Sequence, residues 1–130
     1  MEKDIKNIKK KILVVDDEVN SREGLSKILI KEGFEVVCAE DGSSAFEKIL
    51  TTDFDIVITD LKMEGTGGIE LLEKIKKEKP TISVILVTAY GEVNSYLKAM
   101  NLGAFEYLNK PIKIDELRHI INKALNAPEQ

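Results

Sequence analysis

"ILVVDDE", Ile12 to Glu18, decides how this chain is read. Four apolar residues, the mark of a buried strand, run straight into three acids. Carboxylates crowded at the edge of an apolar interior repel one another and lose solvation, so their charged form is disfavoured unless a cation sits among them. A strand that ends this way points to a site and to a positive group brought in from elsewhere in the chain.

Working outward, four more apolar runs follow "KILVV" (11 to 15): "EVVCA" (35 to 39), "FDIVIT" (54 to 59), "SVILVT" (83 to 88) and "FEYLN" (105 to 109). Runs of this length read as strands. The first, third and fourth are apolar on nearly every residue, as in a parallel sheet covered on both faces. Between them the period becomes helical. Leu25, Ile28 and Leu29 mark a first helix ending at Gly33, and Ala45, Phe46, Ile49 and Leu50 a second begun by Ser43 and Ser44. Leu71, Leu72 and Ile75 mark a third stopped by Pro80, and Val93, Tyr96, Leu97 and Met100 a fourth closed by Gly103. Leu117, Ile120, Ile121, Ala124 and Leu125 mark the fifth, with Asp115 near its start and Pro128 after its end. The chain is thus α/β, a (βα)5 doubly wound parallel five-stranded sheet with right-handed crossovers. In such sheets ligands bind beyond the carboxyl ends of the strands.

The bulk properties narrow the class. At 130 residues the chain is one domain by the usual size range, and its net charge of -4 is too acidic for an electrostatic nucleic-acid binder. Five lysines between Lys3 and Lys11 read as a flexible basic segment, residues 1 to 10, ahead of a domain over 11 to 126; 127 to 130 is a tail or the start of a linker. One cysteine, Cys38, allows no internal disulfide and reads as a buried structural thiol. No apolar stretch is long enough to cross a bilayer and none resembles a signal peptide, so no membrane partner and a cytoplasmic location are expected.

The chemically loaded residues fall just after strands. Asp16, Asp17 and Glu18 follow the first, Asp60 ends the third, Thr88 ends the fourth, and Lys110 with Pro111 follows the fifth. If the first and third strands are neighbours, three aspartates converge opposite a hydroxyl and an ammonium. An oxygen-only set suits a hard cation such as Mg²⁺ more than zinc, and His119, the one histidine, lies within the last helix as an ordinary surface residue.

At this set the sequence resembles a response-regulator receiver domain, the phosphoacceptor half of a two-component system. The likeness runs from about Lys11 to about Leu125 and rests on "VVDDE", "ITDLKM", "VTAYG" and "LGAFEYLNKP" together. It implies a flavodoxin-like strand order 2-1-3-4-5. It also implies that Asp60 takes a phosphoryl group from a sensor histidine kinase, with Mg²⁺ held by Asp16, Asp17, Asp60 and the backbone carbonyl of Lys62. Thr88 and Lys110 would bind phosphoryl oxygens. Thr88 and Tyr107 would form the switch, and the fourth helix, fifth strand and fifth helix would face an effector or a second copy of the chain. The resemblance further implies a regulator and not an enzyme, beyond self-catalysed phosphotransfer and dephosphorylation, and a cis bond before Pro111. The chain departs from the common pattern at Glu64, and the glycines of "EGTGG" imply a mobile loop beside the acceptor.

Three other readings fit less well. An aspartate-nucleophile phosphohydrolase would want an Asp-x-Asp pair where this chain has adjacent acids, and a flavin module would want a phosphate loop where "DEVNSREG" is acidic. A receiver that binds proteins without being phosphorylated would not need all five site residues.

Overall fold

The computed structural model describes residues 9–63, 65–89, 91 and 93–127. Most of the expected basic segment, the end of the tail with Pro128, Glu64 and Tyr90 lie outside these residues. The elements alternate as β1 (Lys11–Val15), α1 (Val19–Lys31), β2 (Glu35–Ala39), α2 (Gly42–Thr51), β3 (Ile56–Asp60), α3 (Gly68–Glu78), β4 (Ser83–Thr88), α4 (Val93–Asn101), β5 (Glu106–Asn109) and α5 (Ile114–Asn126). All strands are parallel in the order β2-β1-β3-β4-β5, with Val15 opposite Thr59 and Thr88 opposite Asn109.

Side chains alternate across a strand, and the near-continuous apolar runs feed two cores. Leu13, Val15, Val57 and Leu86 face one way, onto Ala45 and Ile49 of α2, Leu71, Leu72 and Ile75 of α3, and Ala99 of α4. Ile12, Val14, Ile58, Ile85 and Val87 face the other, onto Leu29 of α1 and Leu117, Ile120, Ile121 and Ala124 of α5. β2 is an edge strand, so its middle residues are half-buried; Cys38 is among them, its Sγ 2.8 Å from Ser26 Oγ. A forked pair from Arg118 to Glu32 (2.7 and 2.9 Å) joins α5 to the end of α1. No helix among the described residues is long and apolar enough to cross a membrane.

The boundaries follow local chemistry. α1 and α4 end where Gly33 and Gly103 take φ near +100°, a conformation that side chains disfavour. α2 is capped by Asp41, whose Oδ1 accepts the Ser44 N–H at 2.8 Å. The expected serine start is therefore corrected, because Ser43 and Ser44 already lie inside the first turn and a side chain one residue before Gly42 reaches the open amide. β3 begins at Ile56, not Phe54, since Asp55 is engaged with Lys11: its N–H donates to the Lys11 carbonyl, and its side chain accepts the Lys11 N–H at 2.8 Å. Phe54 is still buried in the core.

α4 differs most from its expected packing. Val93 is 73% exposed and Leu97 52%, while Ala99 is fully buried and Met100 half-buried. The apolar period locates the helix but not the side that faces inward, because the smallest side chain allows the closest approach to the sheet.

Candidate functional site

The carboxyl ends of β1, β3, β4 and β5 bring the chemistry together. Asp16 follows β1, and its backbone N–H donates to the Ala39 carbonyl at 3.2 Å. Asp60 closes β3; the next residue, Leu61, donates its N–H to the Val87 carbonyl of β4 at 2.9 Å. Lys110 follows β5, and its own N–H donates to the Thr88 carbonyl at 2.8 Å. The peptide bond from Lys110 to Pro111 is cis.

The Lys110 Nζ donates to Asp60 Oδ2 at 2.7 Å and to Asp16 Oδ2 at 3.2 Å. Both carboxylates are almost buried, so the ammonium is their counter-charge across three strands. Burial works to lower the Lys110 pKa, but the hydrogen bond and charge of Asp60, joined by those of Asp16, outweigh it and hold the group above its ordinary range. The second oxygen of each carboxylate ties its own loop: Asp60 Oδ1 accepts the Lys62 N–H and Asp16 Oδ1 accepts the Glu18 N–H, both at 2.9 Å.

Asp17 is exposed, and among the described residues no three His, Cys, Asp or Glu side chains stand together as a metal cluster. The donors that the resemblance assigns are all oxygens, the carboxylates of Asp16, Asp17 and Asp60 and the Lys62 carbonyl, and of these the structure joins Asp16 and Asp60 through Lys110. Mg²⁺ ordinarily keeps several waters and uses one or two carboxylates, so this set fits it. Charge agrees: the Asp16 and Asp60 carboxylates against the one Lys110 ammonium leave a net negative charge, to which the adjacent exposed Asp17 adds. That excess has a cost when no cation is bound. Asp17→Asn is expected to raise the thermal midpoint in metal-free buffer by about 2 to 4 °C, the size of a relieved surface repulsion. It is also expected to weaken the further rise that Mg²⁺ brings in the unaltered chain; calorimetric scans with and without Mg²⁺ check both.

Thr88 is fully buried at the end of β4. Tyr107, 9% exposed on β5, shares a 2.7 Å hydrogen bond between its hydroxyl and Ser95 Oγ, and Tyr96 meets its ring edge-on at 5.5 Å. His119 is exposed on α5. A cavity of about 530 Å³ opens at the same strand ends, lined by Leu25, Ile28, Ile114 and Leu117 together with Asp60 and Lys110.

Two contributors have no signal in the sequence alone. Gly68, expected as part of a mobile loop, opens α3 against the end of β3: a Cβ there would stand 2.5 Å from the Asp60 carbonyl oxygen and 2.9 Å from Leu61 Cα. Arg22, on α1, donates from Nη1 to the Asp16 carbonyl at 2.8 Å. Its spacing from Asp16 marks it only as a basic residue in an acidic stretch.

The family model of the response regulator receiver domain matches residues 12–122. This chain belongs to the receiver family. The receiver is similar to the regulatory protein AtoC of Escherichia coli, 39% identical over 115 residues that are 88% of this chain and 25% of AtoC. It is also similar to sporulation initiation phosphotransferase F of Bacillus subtilis, 37% identical over 88% of this chain and 93% of that protein. A solved structure of the response regulator TrrA from Thermotoga maritima, in complex with Mg(2+)-BeF, superposes with a TM-score of 0.81 at 41% identity, covering 88% of this chain and 98% of that one. The receiver thus spans about a quarter of AtoC and nearly all of phosphotransferase F. Receivers of this family are regulatory modules of two-component signalling, not enzymes in the ordinary sense, and bind Mg²⁺ in general.

Proposed function

We propose that this receiver accepts a phosphoryl group on Asp60 from the phosphohistidine of a sensor kinase and relays the change to an effector. The observation that carries this reading is the Lys110 ammonium within hydrogen-bond reach of both Asp60 and Asp16 at the strand ends. An Asp60 oxygen attacks phosphorus; the O–P bond forms as the donor's N–P bond breaks, and the electron pair stays on the imidazole nitrogen, which takes a proton. Phosphoryl transfer asks little covalent work of the protein beyond positioning and charge neutralisation. Mg²⁺, when held by Asp16, Asp17, Asp60 and the Lys62 carbonyl, supplies charge neutralisation at the transferring oxygens. Lys110 follows the new charge to a phosphoryl oxygen, and Thr88 donates its hydroxyl to another.

Phosphorylation replaces the single negative charge of the Asp60 carboxylate by nearly two and adds strong acceptor oxygens. Because the Lys110 N–H is bonded to the Thr88 carbonyl, the groups that answer this charge share one strand-end connection. The proposed readout is Tyr107 and the α4-β5-α5 face, used for an effector or for a second copy of the chain. The proposed unit spans residues 11–126, with 127–130 as tail or linker, and acts in the cytoplasm without nucleic acid or membrane as direct partner.

Incubation with Mg²⁺ and a small acyl phosphate should yield an acid-stable, base-labile adduct, one per chain by intact mass. It should vanish on chelation of the metal and in Asp60→Asn. An adduct that survives in Asp60→Asn, or sustained hydrolysis of unrelated phosphate esters, would overturn the proposal.

A further inference from the structure

Asp17 is joined to its neighbours by two peptide units, and both are tied down. The unit before it presents the Asp16 carbonyl, which accepts from Arg22 Nη1 at 2.8 Å; the unit after it presents the Glu18 N–H, which donates to Asp16 Oδ1 at 2.9 Å. With both planes held, the direction in which the Asp17 Cα–Cβ bond leaves the turn is set from either side. The Asp16 side chain that makes one of these ties is itself held by Lys110, so it stays in place whatever happens at Arg22. Arg22 is half-buried on α1, and its own carbonyl accepts the Ser26 hydroxyl at 2.7 Å, which anchors the turn of helix from which the guanidinium reaches.

We infer that Arg22 is a positioning residue for the cation site: it orients the Asp16–Asp17 peptide so that the Asp17 carboxylate is delivered to Mg²⁺. The inference rests on the metal-dependent reading above and deepens it. It has a sign that a bystander would not share. Arg22 would set a positive charge near a cation held by Asp16 and Asp17, so on Coulomb grounds alone its removal should tighten Mg²⁺ binding. If its task is orientation, removal loosens binding in spite of the gained attraction. Partners that orient metal ligands are typically worth about tenfold to a hundredfold in metal affinity.

The test is Mg²⁺ titration followed by isothermal calorimetry, well below the unfolding temperature, on the unaltered chain, Arg22→Gln and Arg22→Lys. Arg22→Gln is expected to bind Mg²⁺ about tenfold more weakly. Arg22→Lys keeps the charge but replaces the planar fork by a single ammonium, and is expected to recover part of that loss. Should Arg22→Gln fail to fold, Arg22→Lys alone decides, with weaker binding expected at unchanged charge. Equal or tighter binding in Arg22→Gln, or full affinity in Arg22→Lys, overturns the inference while leaving the function intact. An unaltered chain that shows no Mg²⁺ binding at all overturns both.

Discussion

Lys110→Met is expected to slow phosphoryl-adduct formation by about two to three orders of magnitude, the usual loss when one donor to developing negative charge is removed from a preorganised site. The ammonium is bonded to both site carboxylates, and a methionine of similar length keeps the volume while deleting the charge. Lys110→Arg should restore little, since a broad planar fork cannot occupy the place of a compact ammonium 2.7 Å from Asp60. Adduct formation from an acyl phosphate at saturating Mg²⁺ measures both, and a rate within a few-fold of the unaltered chain would show that the lysine is not in the reacting set. Stability should fall as well, by about 2 to 3 kcal/mol at neutral pH, because two nearly buried carboxylates lose their counter-charge. This part of the loss has a pH signature. The Lys110 pKa is raised by folding, so its contribution is complete below the ordinary lysine value of 10.5 and fades as pH climbs through the raised value. Urea unfolding of the unaltered chain and Lys110→Met should therefore differ at neutral pH and converge only in strongly alkaline solution.

Gly68→Ala should be nearly as damaging for a steric reason. The atoms that an added methyl group would meet, the Asp60 carbonyl oxygen and Leu61 Cα, are backbone and cannot turn aside like the end of a flexible side chain. Either the first turn of α3 or the end of β3 must move, at a cost of about 2 to 3 kcal/mol in urea unfolding. The displaced residue is the proposed phosphoacceptor, and misplacement by about 1 Å can cost about a hundredfold in rate. Adduct formation should thus fall by more than the fraction unfolded explains. A variant with unaltered stability and rate would mean that α3 starts without bearing on Asp60.

These two positions show what was readable from the chain and what was not. Asp16, Asp60, Thr88 and Lys110 could be picked out because each stands directly after an apolar run, and strand ends in a parallel sheet converge on one edge. The pairing of Asp16 and Asp60 through one lysine followed once β1 and β3 were neighbours. Gly68 looked like one of several loop glycines because its duty depends on how near the β3 backbone comes, a distance that no local pattern encodes. Asp41 lost to Ser43 and Ser44 as the expected cap for a similar reason: all three residue types favour that position, and the choice is made by where Gly42 turns into the helix. Val93 and Leu97 mark the helix by periodicity but stay exposed, whereas the sheet accepts Ala99.

That last feature has a mechanical consequence. The sheet and four of its helices form a stiff chassis, each helix fastened by branched side chains sunk into a core. α4 is a plate held by a single small rivet, Ala99, and by lateral stays from Ser95 and Tyr96 to Tyr107. Sliding the plate would uncover little more than a methyl group and part of Met100, on the order of 1 to 2 kcal/mol, so the readout proposed for Tyr107 bears on the helix that is least costly to displace.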